Sequence, residues 1–263
     1  DRGALGRAPV LMPMHFEDDF PVIGESGKVP EVLTVLDTGY QYAAINGSDD
    51  FSYKPDENGQ ITLKNFWEFN HQQMDDFWSV TENPGHLRLH SAKLSPTLFQ
   101  AYNTLTQRTV GPKCAAEVTL RFAHMKNGDV AGISTFIGNY GFTGVKKEND
   151  QFYLIMMGRP AKDTTVFGQF EYENPGLEYA RVPIYGESIC LRAEADFTDK
   201  RDLSSFYYKE GDNWQKLGID QPMYFKMDLF TGCRFGLFYY STEQTGGYVD
   251  FSKFQFIWPE YVY

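Results

Sequence analysis

Apolar and polar side chains alternate with a period of two along much of this chain. In residues 118–122, Val118, Leu120 and Phe122 alternate with Thr119 and Arg121. In residues 189–195, Ile189, Leu191, Ala193 and Ala195 alternate with Cys190, Arg192 and Glu194. A period of two places the two sets on opposite faces of a strand and buries only one of them. Further strands are expected at 86–90, 102–109, 131–138, 142–147, 151–157, 165–172, 205–209, 235–240 and 248–257. Turn-forming strings separate them: NPG at 83–85, KNGD at 126–129, KEND at 147–150, KEGDN at 209–213 and TGG at 245–247. No stretch of twelve or more residues carries an amphipathic helical pattern. Many short strands with regular turns predict an all-β chain, an antiparallel two-sheet β-sandwich of the jelly-roll kind.

The N-terminus has a different texture. Residues 9–16 (PVLMPMHF) and 20–24 (FPVIG) are two extended runs, with Glu17-Asp18-Asp19 as the polar turn between them. A lone hairpin is marginal in water, so residues 1–30 read as the closing piece of a larger body. Residues 31–46 read as an ordered connector along a surface, not a Gly/Ser tether, and residues 47–263 as a complete sandwich opened by Gly47-Ser48-Asp49-Asp50.

Composition narrows the function. With 263 residues the chain can bury a sizeable core. A formal net charge of −11 argues against nucleic acid or an anionic membrane as partner, since both require clustered Lys and Arg. It suits a neutral ligand such as a sugar. Aromatic residues make up 16% of the chain and favour both strands and stacking surfaces. The three cysteines, Cys114, Cys190 and Cys233, lack CxxC spacing and read as buried free thiols. No GxSxG elbow, P-loop or GxGxxG before a helix is present. His86 and His90 are four apart, which in a strand only puts them on one face.

Longer strings carry the reading further. GRAPVLMPMHFEDDFPVIGESGKVP (6–30) resembles the end of the five-bladed propeller of family 43 glycoside hydrolases, the β-xylosidase and α-arabinofuranosidase group. FWEFNHQQMDDFWSVTENPGHLRL (66–89) and NTLTQRTVGPKCAAEVTL (103–120) resemble the concanavalin-like sandwich fused to that propeller. FTGCRFGLF (230–238) and GGYVDFSKFQF (246–256) continue the likeness. The resemblance implies hydrolysis by inversion, with three carboxylates supplied by earlier propeller blades. No Asp or Glu of this chain matches them, so the chain alone is expected to be inactive. The implied partners are the propeller portion of the same enzyme and an oligosaccharide substrate. A free-standing carbohydrate-binding module, and a purely structural domain that packs the propeller or makes a homo-oligomer, are the alternatives.

The same resemblance nominates site residues. Arg7 matches an arginine that lines the sugar pocket, where a fixed guanidinium donates to hydroxyls and keeps a neighbouring carboxylate ionised. Phe230, with Thr231 in LFTG, falls where the family sends a loop from the sandwich to close that pocket. Gln107 and Arg108 lie on opposite faces of a regular strand, and Asn70 and His71 could join them. The family shows Trp-Asn-His where this chain has Phe69-Asn70-His71, which loses an indole donor. No cofactor is required for catalysis. Asp49, Asp50 and Asp250 fall on strands that are neighbours in related sandwiches, where such carboxylates hold a structural calcium.

Overall fold

The computed structural model describes residues 3–7, 9–25, 27–160, 173–223 and 231–258. The predicted strand at 165–172 and the aromatic Phe230 lie outside the described residues.

The first hairpin forms as its sequence demands. Strands β1 (Met14–Glu17) and β2 (Phe20–Ile23) pair antiparallel around Asp18 and Asp19. Both turn residues adopt left-handed backbone, with φ of 46° and 64°. A two-residue turn of that hand matches the twist of the flanking strands. The first strand is shorter than expected, because residues 9–13 are not in the ladder. The hairpin forms a two-stranded sheet of its own. Residues 31–46 contain neither helix nor strand and are almost wholly exposed.

From residue 49 onward the described residues form a β-sandwich. One sheet has the order β11-β10-β9-β8-β16-β6-β3, from Leu177–Ile184, Gln151–Gly158, Gly141–Glu148, Asp129–Phe136, Arg234–Ser241, Leu105–Arg108 and Glu68–Phe69. The other has the order β14-β13-β12-β7-β17-β5-β4, from Asn213–Lys216, Leu203–Glu210, Ser188–Asp196, Lys113–Arg121, Tyr248–Ile257, Leu87–His90 and Trp78–Ser79. A short strand β15 (Gln221–Pro222) pairs with β13. All ladders are antiparallel, and β12 runs beside β7 over nine register pairs. β3, β4, β11, β14 and β15 were not expected from the alternation. β3, β4 and β15 are two-residue pieces and β14 is a short edge, too brief for a period to show.

The core follows the alternation. Cys114, Ala116, Val118 and Leu120 of β7 meet Leu191, Ala193 and Ala195 of β12 and Phe235, Leu237 and Tyr239 of β16 in one apolar cluster. Each large side chain removed from water contributes about 1.5–3 kcal/mol. The outer face of the seven-stranded sheet is covered as well. Phe136, Phe142, Ile155, Phe238 and Tyr240 pack against Leu98, Phe99 and Ala101 from the preceding loop in a second cluster. This second layer is why β8 is buried on both of its faces.

Candidate functional site

The first described turn, Gly3–Leu5, is docked on the sandwich. Ala4 is fully buried; its N–H donates to Asp202 Oδ2 at 3.0 Å, and its carbonyl accepts the Cys233 N–H at 2.8 Å. Two glycines allow the close approach. A Cβ on Gly6 would stand 3.0 Å from Gly232 Cα, and one on Gly232 would stand 2.4 Å from the Leu5 carbonyl oxygen. Both glycines hold positive φ, of 96° and 88°, which a side chain would strain. The segment that carries Arg7 therefore lies directly on Thr231-Gly232, and both Arg7 and Thr231 are exposed.

A cleft of about 240 Å³ opens beside that contact, and Asn70, Thr231 and Gly232 line it together with Glu68, Phe69 and Arg234. Arg234 Nη1 donates to Glu68 Oε2 and, at 3.2 Å, to Thr106 Oγ1. The Arg234 side chain is only 13% exposed, so the guanidinium is fixed in the wall. Asn70 is held there by its backbone, whose N–H donates to the Thr104 carbonyl at 2.9 Å.

The other expected site residues have different places. His71 turns to the Leu98–Gln100 turn, where its Nε2 meets the Phe99 carbonyl, and it does not line the cleft. Gln107 is fully buried and clasps one residue: its amide oxygen accepts the Gly47 N–H at 2.8 Å and its amide nitrogen donates to the Gly47 carbonyl at 3.1 Å. It ties the end of the connector to the sheet and has no polar atom left pointing at a ligand pocket. Arg108 is exposed on the outer face, directly opposite Arg234 in the ladder.

The three aspartates do not fit a calcium. Asp49 is buried, and its carboxylate takes the Phe51 N–H at 2.9 Å, the Trp67 indole N–H at 2.8 Å, the Tyr53 hydroxyl and the Lys64 ammonium at 3.1 Å. Its lone pairs are spent, and a second cation would face the ammonium. Asp250 is gripped by Arg88 Nε at 2.7 Å and Nη2 at 2.8 Å, with Asn83 Nδ2 at 2.9 Å. Burial pushes the Asp250 carboxyl up, but the donors from Arg88 and Asn83 outweigh it and leave it below the usual carboxylate range. Asp50 is exposed and accepts the Ser52 N–H at 3.0 Å. Among the described residues no group of three or more His, Cys, Asp or Glu converges on a metal position.

Three groups escaped the sequence reading. Asp202 anchors the first turn, yet its Oδ1 has no partner among the described residues. Burial pushes its carboxyl up, with the Ala4 N–H acting the other way. Asp129 is fully buried and accepts from Tyr239 Oη, Ser241 Oγ and the Lys126 N–H, which only the fold brings together. Arg234 had a signal that could have found it: Phe235, Leu237 and Tyr239 point inward, so the residue before Phe235 must face out.

A concanavalin-like sandwich joined to a docked N-terminal strap defines the structural class. Residues 56–257 match the family described as the beta-xylosidase C-terminal concanavalin A-like domain, and the chain belongs to that family. A β-xylosidase of Formosa agariphila is 26% identical across 95% of this chain and 43% of its own length. A xylosidase/arabinosidase of Butyrivibrio fibrisolvens is 25% identical across 95% of this chain and 46% of its own. Among solved structures, a bifunctional GH43-CE protein of Bacteroides eggerthii superposes with a TM-score of 0.80 at 36% identity, covering 97% of this chain and 31% of that one. A GH43 glycoside hydrolase engineered for endo-xylanase and exo-arabinofuranosidase activity superposes with a TM-score of 0.76 at 26% identity, covering 95% of this chain and 49% of that one. The chain spans less than half the length of the curated relatives it matches.

Proposed function

We propose that this chain serves as the C-terminal portion of a glycoside hydrolase that cleaves xylan- or arabinan-type oligosaccharides by inversion. The sandwich braces a propeller that supplies the catalytic carboxylates, and it lends the Thr231 loop to the sugar pocket beside Arg7. The supporting observation is the Gly6–Gly232 contact, which brings Arg7 to Thr231 from opposite ends of the chain. The hairpin adds a second support. Val10, Leu11, Met14, Phe16, Phe20 and Ile23 are all exposed. Met14, Phe16 and Ile23 share one face of the hairpin and Phe20 lies on the other. Exposed apolar side chains gathered in one segment mark an interaction surface, and neighbouring propeller blades are the occupant that the family relationship suggests.

Inversion needs an acid and a base on opposite sides of the ring, with room for a water. The part played by this chain is binding and orientation. The Arg7 guanidinium donates to sugar hydroxyls and holds an adjacent carboxylate ionised. The Thr231 loop forms a wall that limits water and positions the ring. A free lectin-like module gains no support: the outer face of the seven-stranded sheet is filled by Phe99 and its neighbours.

The test is hydrolysis of an aryl β-xyloside and an aryl α-arabinofuranoside. The chain alone is expected to be inactive. In the full-length enzyme, Arg7→Ala is expected to lower kcat/KM about a hundredfold, the scale of one preorganised donor. Hydrolysis by the isolated chain, or wild-type rates in the variant, overturns the reading.

A further inference from the structure

The outsides of the two sheets are finished differently. The seven-stranded sheet carries a second apolar layer, whereas among the described residues neither apolar cluster covers the outside of β7, β12 and β13. The register sets three rows of side chains across that open face. Glu117, Arg192, Tyr207 and Lys216 stand abreast on β7, β12, β13 and β14. Ile257, Ala115, Glu194 and Ser205 form the next row, and Lys113, Asp196 and Leu203 the third. Their neighbours Cys114, Leu191, Ala193 and Phe206 point into the core, so these rows face out. The middle row is low, because Ala115 and Ser205 are small and flank Glu194. A groove of about 390 Å³ results, lined by all three rows. That is within the range of small-ligand sites, about 300–1,000 Å³.

Charge cancels in place along the groove. Lys113 pairs with Asp196 at 2.9 Å, Arg192 with Glu194 at 2.6 Å and with Glu117 at 2.8 Å, and Lys216 with Asp220 at 2.5 Å. Arg201 stands 3.7 Å from Asp196, and Ser205 Oγ donates to Asp220 at 2.6 Å. Every cation of the lining thus has a carboxylate beside it. Leu203, Tyr207 and Ile257 add apolar surface: each is partly exposed and belongs to neither core cluster. A charged ligand would have to break an ion pair to find a partner. A purely apolar one would strip water from the charges without replacing its hydrogen bonds. A sugar ring meets both demands, since each hydroxyl donates and accepts while the C–H face lies on an aromatic ring.

We propose that this groove binds neutral pyranose units of an oligosaccharide, with one ring on Tyr207 and hydroxyls bonded to Arg192, Glu194 and Asp220. The choice of a saccharide among neutral ligands rests on the hydrolase reading above, to which it adds a second hold on a chain-like substrate. The groove shares no lining residue with the cleft at Asn70 and Thr231, which opens on the other sheet. Arg192 and Glu194 are fixed by their ion pair before any ligand arrives, so little side-chain freedom is lost on binding.

The test is an NMR titration of the ¹⁵N-labelled chain with xylotetraose, with tetragalacturonate as the acidic comparison and tetra-alanine as the peptide one. Xylotetraose is expected to shift the backbone amides of Ala115, Glu194 and Ser205, with an affinity that added salt leaves unchanged. Tyr207→Ala is expected to weaken binding about tenfold, the scale of one aromatic contact. Ser205→Phe fills the floor of the groove from an outward position. It is expected to abolish the shifts while the amide signals of β8 and β16 stay as in the wild type, which separates a blocked groove from a lost fold. Shifts confined to the surroundings of Asn70 and Thr231 would put the saccharide in the other cleft and overturn the proposal. Tighter binding of tetragalacturonate would make this an anion site, and equal binding of tetra-alanine a general polar groove; either result overturns it, as does the absence of shifts. None of these readouts uses hydrolysis. A full-length enzyme that hydrolyses its substrate without binding here sinks this site alone, and binding here without hydrolysis sinks the hydrolase reading alone.

Discussion

Phe16 and Phe20 of the hairpin are 66% and 77% exposed, whereas Phe235 and Phe251 of the sandwich are fully buried. The two regions use the same residue types in the same alternating fashion and reach opposite ends. In the sandwich, each apolar face meets another within the chain, and the outer face of one sheet even acquires a second layer. In the hairpin the turn chemistry is satisfied and the ladder is formed, but among the described residues no apolar face is opposed to it. Local rules can therefore specify a hairpin completely and leave its burial undecided. The joint between the two regions combines polar anchors, Asp202 on Ala4 and Gln107 on Gly47, with apolar packing of Ala4 and Leu5 on the sandwich core.

Substitutions can break that contrast. The largest effect is expected in the sandwich. Phe251→Ala opens a cavity between the sheets and should cost about 3–5 kcal/mol in denaturant unfolding. A loss below about 1 kcal/mol would mean that the core is not a close-packed unit.

Arg88→Ala comes next. It strands the Asp250 carboxylate, which is 5% exposed, and should cost about 2–3 kcal/mol at neutral pH. The sign with pH follows from the depressed carboxyl. Stability from this pair is complete above the unfolded value of about 4 and is lost as pH falls through the lower folded value. The wild type should thus lose this increment on acidification, and the Arg88→Ala variant should lose less. Parallel melting curves for the two proteins down the acid range would disprove the coupling.

Asp202→Ala addresses the joint. Loss of one acceptor for a buried N–H should cost about 1 kcal/mol globally. Amide exchange at Ala4 and Cys233 should accelerate much more than exchange in β7, because the turn and the 231–233 segment bond to each other. Asp202→Asn keeps an acceptor for Ala4 and should restore slow exchange. Uniform acceleration across the sandwich would argue against a local latch.

The smallest effect is expected in the hairpin. Phe20→Ser should change the stability of the isolated chain by no more than about 0.5 kcal/mol, as for other exposed positions. The same substitution in the full-length enzyme should be more costly if propeller blades cover the hairpin face that carries Phe20. Equal, small effects in both settings would remove the hairpin from the proposed interface.

Much of this architecture was legible in the chain. The alternation in 118–122 and 189–195 identified two neighbouring strands of one sheet and their inward faces, because a period of two is a local property that burial on one side enforces. Asp18-Asp19 was legible as a turn for the same reason. The candidate site was legible only in part. Arg7 and Thr231 stood out by their strings, and Arg234 could have been placed outward by parity, but its pairing with Glu68 required knowing that β3 and β16 flank β6. Asp49 and Asp250 looked like cation ligands until the fold gave them Lys64 and Arg88. Gln107 looked available until Gly47 was found beside it.

By itself, the sequence determined the all-β character, the location of most strands, the buried sides of those at 118–122 and 189–195, and the family to which the chain belongs. These follow from short-range periodicity, turn stereochemistry and extended strings. Only the tertiary structure decided which charges neutralise one another, which polar groups are consumed by the backbone, and that the residues near position 7 lie against those near position 231. Those outcomes rest on contacts between segments far apart in the chain. Hydrogen bonds and ion pairs reach only a few ångströms, so nothing in the order of residues reveals them until the backbone has brought the partners together.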